Sequence, residues 1–267
     1  LVGKSLSEIK IAMLGMGAAN VANYRLLKAA GADPAAIVIC DEGGTLHRHR
    51  HDLEAQADVA PQWAICQESN GESIVGDAAD AIKGADLLIA FSRPGPDVIA
   101  SEWITAMAHD AIVIAGANPV PEIHPEKAKA AGARIVGTGR SDFPNQVNNA
   151  LAFPGIFRGV LDVQARAITD AMAVAAALEL GRCAELRGLR EDHILDLEEL
   201  LDLVGRIVVT AQAHIIAGCD LAGQTEVELP VRPDCAVPNR IVRETLGIAI
   251  LLDADLRHHA VVAVFAQ

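Results

Sequence analysis

Aromatic side chains are scarce in this sequence: one tyrosine, two tryptophans and five phenylalanines in 267 residues. The core must therefore be filled by Ala, Val, Ile and Leu. That suits a parallel sheet flanked by helices, whose inner strands are aliphatic on both faces. Cations are also a minority, with 22 Lys and Arg against 35 Asp and Glu and a net charge of -13. Such a balance argues against a nucleic-acid surface, because neutralising phosphates takes clustered Lys and Arg. It leaves small anionic ligands open, since an acidic shell can surround a local pocket of either sign. The five cysteines (Cys40, Cys66, Cys183, Cys219, Cys235) include no Cys-x-x-Cys pair, so neither a zinc site nor a disulfide-exchange site is indicated. Buried free thiols in a reducing, cytoplasmic setting are expected instead. No apolar run reaches the roughly 18 residues of a membrane span, and no signal peptide opens the sequence.

What is present reads as a globular α/β chain, 51% apolar and 21% charged. The first residue is Leu1 rather than Met, so a segment of a longer protein is expected. Ile9 to Leu14 predicts a buried strand, Gly15-Met16-Gly17 a tight turn, Ala18 to Ala30 a helix closed by Gly31, and Ile37 to Cys40 a second strand ending at Asp41. Helices near 77–83, 97–108 and 125–131 then alternate with strands at 87–91, 112–115 and 135–137. This is a succession of right-handed crossovers and a doubly wound, Rossmann-like parallel sheet. Beyond Asp142 the pattern predicts helices at 145–152 and 168–182. Residues 197–216 have helical spacing, 226–231 suit a strand, and 241–267 are ambiguous.

Five stretches carry candidate chemistry. Gly15-Met16-Gly17-Ala18-Ala19-Asn20 sits between a strand and a helix, where backbone N–H groups and the helix dipole can meet a pyrophosphate. Its last position is Asn where Gly or Ala is usual. Asp41 lies 21 residues beyond Asn20, near the spacing of the acid that bonds an adenosine ribose. An ordinary βα turn is the plain alternative, and the context favours the functional one. His47-Arg48-His49-Arg50-His51 reads first as a solvated loop; one of its arginines could instead meet a 2′-phosphate and shift preference from NAD to NADP. Ser92-Arg93-Pro94-Gly95 and Gly116-Ala117-Asn118-Pro119-Val120-Pro121-Glu122 each follow a strand at its carboxyl end, where ligands bind in such sheets. Each also suits a plain turn. The fifth, Gly137 to Gly155, packs polar and turn residues beside a strand end. Its adjacent Asn148 and Asn149 are poor helix formers, expected to be there for their amides. No Ser or Cys occupies a nucleophile elbow, and no metal-ligand set is indicated.

At that fifth stretch the chain closely resembles a known family. GTGRSDFPNQVNNALAFPGIFRG is similar to the signature segment of bacterial-type malic enzymes. LVGKSLSEIKIAMLGMGAAN, AIKGADLLIAFSRPG and ANPVPEI precede it in the family's order. The resemblance runs from about Leu1 to Leu195. It implies an enzyme that oxidises L-malate with NAD or NADP and decarboxylates the product to pyruvate and CO2, using Mg²⁺ or Mn²⁺ in its full-length form, usually as a dimer or higher homo-oligomer. It further implies that Gly15, Gly17 and Ala18 meet the pyrophosphate and Asp41 the adenosine ribose. Ser92 would lie near the cofactor, and Asn118 and Asn149 would contact malate or the nicotinamide ribose with Asn148 beside them. NAD is the favoured cofactor.

The departures matter too. The family's tyrosine–lysine acid–base pair and most of its acidic metal ligands precede the segment that begins at Leu1, and the single Tyr, Tyr24, lies inside the first helix. The expectation is a cofactor-binding domain over 1–195, with no catalytic or metal residue of its own, that binds dinucleotide without turnover. Residues 196–267 follow as an extension of unknown role. Two other readings remain: a non-catalytic NAD(P)-sensing or assembly module, and the cofactor domain of an amino-acid dehydrogenase.

Overall fold

The computed structural model describes residues 1–57, 60–162 and 164–192. They fall into two compact units, one of Leu1–Asn149 with the segment from Gly188, the other of Ala150–Arg187. The sequence readings at 197–216, 226–231 and 241–267, with Cys219 and Cys235, lie outside the described residues.

The larger unit begins with β1 (Ile11–Leu14), α1 (Ala18–Ala29), β2 (Ile37–Asp41) and a two-residue β3 (Gly44–Thr45). There follow α2 (His51–Glu54), α3 (Gln62–Glu68), α4 (Ala78–Ile82), β4 (Leu87–Ala90) and α5 (Ser101–Thr105), then β5 (Ile112–Ala115), α6 (Pro125–Ala130) and β6 (Ile135–Thr138). The sheet order is β3-β2-β1-β4-β5-β6. This is the doubly wound order, with its switch point between β1 and β4. Pairing is parallel from β2 through β6, with Ile11, Leu87, Ile112 and Ile135 in one lateral row. Only β3 is antiparallel, returning directly beside β2. The sheet is therefore mixed and not wholly parallel, because residues 42–43 close a hairpin that adds β3 beside β2.

Every residue of β1 and β4 is buried, as expected of inner strands covered on both faces. Alternate residues define one face: Ala12, Leu14, Leu88, Ala90, Val113 and Val136 pack with Ile82, Ile104 and Ala128 of α4, α5 and α6. α4 starts at a capping box, in which Asp77 accepts from the Ala79 and Asp80 amides while Asp80 accepts from the Asp77 amide. α5 is shorter than predicted, since Asp97 forms an isolated antiparallel bridge with Ile123 and delays the helix to Ser101.

The predicted helix over 145–152 does not form. Asn145 takes a φ of 56°, and the Val147 amide donates to the Thr138 carbonyl at 2.7 Å, so the chain runs on beside β6. Only Asn149–Leu151 turns, as a 3-10 helix. Asn148 therefore lies in an extended loop. The smaller unit holds α7 (Phe153–Asp162), which sequence reading missed, and α8 (Asp170–Arg187), predicted from 168. Pro154 in the first turn of α7 suits a helix start, where its missing N–H costs nothing.

Candidate functional site

At the carboxyl ends of the strands lies a cleft of about 420 Å³, within the range of small-molecule sites. Its walls come from four successive loops. Gly17, Ala18 and Ala19 follow β1; Phe91, Ser92 and Pro94 follow β4; Gly116, Ala117 and Asn118 follow β5; Gly139 and Val147–Asn149 follow β6. Among the described residues the lining contains no Asp, Glu, His, Lys, Cys or Tyr.

The β1 loop is built to hold an anion. Gly15 has a φ of 88°, and a Cβ there would stand 2.5 Å from the Phe91 carbonyl oxygen, so only glycine fits. Gly17 is the N-cap of α1 and supplies no side-chain cap. The first-turn amides consequently face the cleft with the positive end of the helix dipole. The unusual Asn20 is the fastener of this turn. It is fully buried, and its Nδ2 donates to the Leu14 carbonyl at 3.0 Å and to the Gly15 carbonyl at 2.8 Å. Its Oδ1 accepts from Asn23 Nδ2 at 3.3 Å. Where a third glycine gives close packing, Asn20 instead ties strand end, turn and helix together. Gln62 Nε2 donates to the Met16 carbonyl at 3.1 Å and supports the turn from α3.

Asp41 ends β2 and is not part of the cleft lining. Its carboxylate receives Arg50 through both oxygens, at 2.9 and 3.1 Å, and the Gly43 amide at 2.8 Å. Arg50 is only 8% exposed. It donates as well to Asp52 from Nε and Nη2 and more weakly to the Gly44 and Thr45 carbonyls. All five of its N–H groups are thereby engaged. Hydrogen bonds from Arg50 hold the Asp52 carboxyl down to about 2. The basic stretch at 47–51 is thus not simply a solvated loop: Arg50 is a buried brace for Asp41.

Sequence reasoning missed Glu122. This carboxylate is fully buried. Its Oε1 accepts from the Ser92 amide at 2.9 Å and the Ser92 hydroxyl at 3.1 Å, and its Oε2 accepts from the Ala117 amide at 3.0 Å. It therefore clamps the β4 and β5 loops to each other. Burial pushes its carboxyl up, against the hydrogen bonds that pull it down. The available signal was an acid inside an otherwise apolar, proline-rich stretch straight after a strand. Arg140 makes a comparable link, donating to the Pro119 carbonyl at 2.7 Å while pairing with Asp142. It joins the β6 loop to the β5 loop. Asn118 precedes a cis peptide bond to Pro119.

Of the residues singled out from sequence, Gly17, Ala18, Ser92, Asn118, Asn148 and Asn149 meet at one cleft. Gly15 lies in the turn behind it, and Asp41 sits apart at the end of β2. Among the described residues no group of three or more His, Cys, Asp or Glu converges as a metal centre. No described helix is long and apolar enough to cross a membrane. Tyr24 is buried and bonded to Glu68 at 3.0 Å.

Comparison with known proteins agrees with this architecture. Residues 1–214 match the family model described as "Malic enzyme, NAD binding domain". The chain is 43% identical over 195 residues to the bifunctional malic/malolactic enzyme of Bacillus subtilis strain 168, covering 73% of this chain and 46% of that protein. It is 41% identical over 196 residues to the NAD-dependent malic enzyme of Geobacillus stearothermophilus, covering 73% of this chain and 39% of that one. The crystal structure of the Entamoeba histolytica malic enzyme superposes with a TM-score of 0.81 at 41% identity, over 96% of this chain and 52% of the other. The chain thus spans between 39% and 52% of these relatives' lengths. Sheet order, cleft and sequence agree that the chain belongs to the malic enzyme family, as its NAD-binding domain.

Proposed function

We propose that this chain binds NAD across the cleft as the cofactor half of a malic enzyme, and that by itself it binds dinucleotide without turnover. The observation that carries this reading is the cleft itself. Backbone amides at an uncapped helix N-terminus and neutral Ser and Asn side chains line it, with no titratable group among the described residues. Such a lining can bind and orient a dinucleotide but offers no general base. Gly15, Gly17 and Ala18 cradle the pyrophosphate, and Asp41 receives the adenosine ribose. Ser92, Asn118 and Asn148 line the nicotinamide half, and Asn118 and Asn149 reach L-malate. In the complete protein the bound dinucleotide supplies a hydride acceptor for the malate hydroxyl carbon, and loss of CO2 leaves pyruvate. The complete protein works as a homo-oligomer, a dimer at least, in the cytoplasm, a reducing compartment that the free, buried thiols of Cys40, Cys66 and Cys183 suit. Residues 1–195 form the cofactor-binding domain in this reading and 196–267 an extension.

NAD is favoured over NADP because Arg50 has no N–H left for a 2′-phosphate and Asp41 would repel one. Fluorescence titration of the purified chain with NADH and, in parallel, NADPH tests this. Saturable binding with NADH the tighter ligand is expected. Absence of saturable binding by either would overturn the assignment of the cleft, and tighter NADPH would overturn the role given to Arg50.

A further inference from the structure

We infer that Glu122 stands ionised behind the floor of the cleft as a positioning residue, and that its fixed negative charge biases the site toward the oxidised, positively charged nicotinamide over the reduced, neutral one. Three observations support this. Each carboxylate oxygen faces a backbone N–H, that of Ser92 on Oε1 and that of Ala117 on Oε2. A backbone N–H can only donate, and with the Ser92 hydroxyl these donors favour the carboxylate form against the burial that pushes the carboxyl up. Among the described residues no Lys, Arg or His contacts the carboxylate, and the residue is fully buried, so little screens its charge. The two loops it clamps belong to β4 and β5, beyond the switch point at β1. In a doubly wound sheet whose pyrophosphate crosses at the first helix, that side takes the second mononucleotide, here the nicotinamide. The inference rests on the proposed dinucleotide cleft and goes beyond it. Glu122 touches neither cofactor nor substrate, and it acts through the Ser92 and Ala117 backbone and through its field. A site so biased favours the oxidised cofactor as resident, which suits oxidation of an alcohol substrate.

The test compares NAD⁺ and NADH affinities of the purified chain, by calorimetry, for the wild type and Glu122→Gln. Removing the charge should weaken NAD⁺ about fivefold more than NADH, as expected for a unit charge lost at short range in a partly screened site. Equal losses for both ligands, or no loss, would show that Glu122 only holds loops in place and would overturn the inference while leaving the cleft assignment intact. Failure of the wild type to bind either ligand would remove the cleft assignment and the inference together. Should Glu122→Gln not fold, the carboxyl ¹³C signal of Glu122 in the unaltered chain decides. An ionised carboxylate at neutral pH is expected, and a neutral acid would overturn the proposal.

Discussion

Replacing Asn20 by glycine restores the usual third glycine of a dinucleotide turn, and the structure predicts that it damages the protein. The substitution removes two hydrogen bonds, to the Leu14 and Gly15 carbonyls at 3.0 and 2.8 Å. The Leu14 carbonyl keeps a partner, the Phe91 amide at 3.0 Å. No other donor to the Gly15 carbonyl is seen among the described residues, and the buried Asn23 amide loses its acceptor. Two such bonds at about 1 kcal/mol each give a cost of about 2 kcal/mol. A glycine inside α1 adds about 1 kcal/mol relative to alanine. Asn20→Ala should therefore cost about 2 kcal/mol and Asn20→Gly about 3 kcal/mol. At about 2–4 °C per kcal/mol for a domain of this size, the glycine variant should melt about 6–12 °C lower. Circular dichroism melts of the two variants beside the wild type read this directly, and NADH titration of the folded variants should show weaker binding as the turn loosens. A glycine variant melting within about 2 °C of the wild type would refute the idea that Asn20 substitutes for close packing by bonding the turn.

Other sites give sharper binary outcomes. Asp41→Ala should weaken NADH binding by about 1–3 kcal/mol through loss of charge-assisted ribose bonds; unchanged affinity in calorimetry would remove Asp41 from the site. Arg50→Ala should destabilise the fold by about 2–3 kcal/mol, below the range for a fully buried pair because Asp41 and Asp52 remain partly solvated, and a urea midpoint unchanged within error would count against the bracing role. Gly15→Ala should abolish dinucleotide binding, since the added Cβ meets the Phe91 carbonyl at 2.5 Å; retained affinity would mean the turn can shift freely. Lys28 and Tyr24 hold Glu68 below the usual carboxylate range by hydrogen bonding, Lys28 first. Their contribution is present above the ordinary glutamate pKa and is lost as pH falls through the lowered one. Glu68→Gln should accordingly flatten the acid limb of a stability-against-pH curve, and an unchanged limb would place the acid sensitivity elsewhere.

The sheet was legible because each strand is short, aliphatic and bounded by punctuation. IVIA after Asp110-Ala111 and IVGT after Ala133-Arg134 announce themselves, and their helices carry opposite periodicity. β3 was not legible, since two residues carry no period. The 145–152 segment misled for a physical reason: local composition suggested a turn of helix, but the Thr138 and Val136 carbonyls capture the chain through the Val147 amide and the Asn145 side chain. Tertiary bonds of that kind leave no trace in neighbouring residues. The site divides the same way. Residues that line the cleft come from glycine- and asparagine-rich loops at strand ends and were found. Glu122 sits in the loop after β5, but nothing local says that its side chain turns inward to bond Ser92, 30 residues earlier. The brace between Arg50 and Asp41 was hidden for the same reason, although both residues had been singled out.

Asn20, Arg50 and Glu122 share a property that bears on how this domain binds. Each is buried, polar and outside the cleft lining, and each fixes a backbone or a carboxylate that is proposed to meet the ligand. Binding by backbone amides and short neutral side chains depends on where those groups already point, because they have little reach with which to adjust. The buried side chains therefore set affinity without touching the ligand. It follows that variants at these three positions should lower affinity while the cleft-lining residues remain unaltered. Variants at exposed lining positions such as Asn118 should lower affinity without lowering the melting temperature. Measuring both quantities across the two groups separates preorganisation from contact. If Asn118→Ala proved as destabilising as Asn20→Ala, the cleft would have to be a packed structural feature rather than a site held open by what lies behind it.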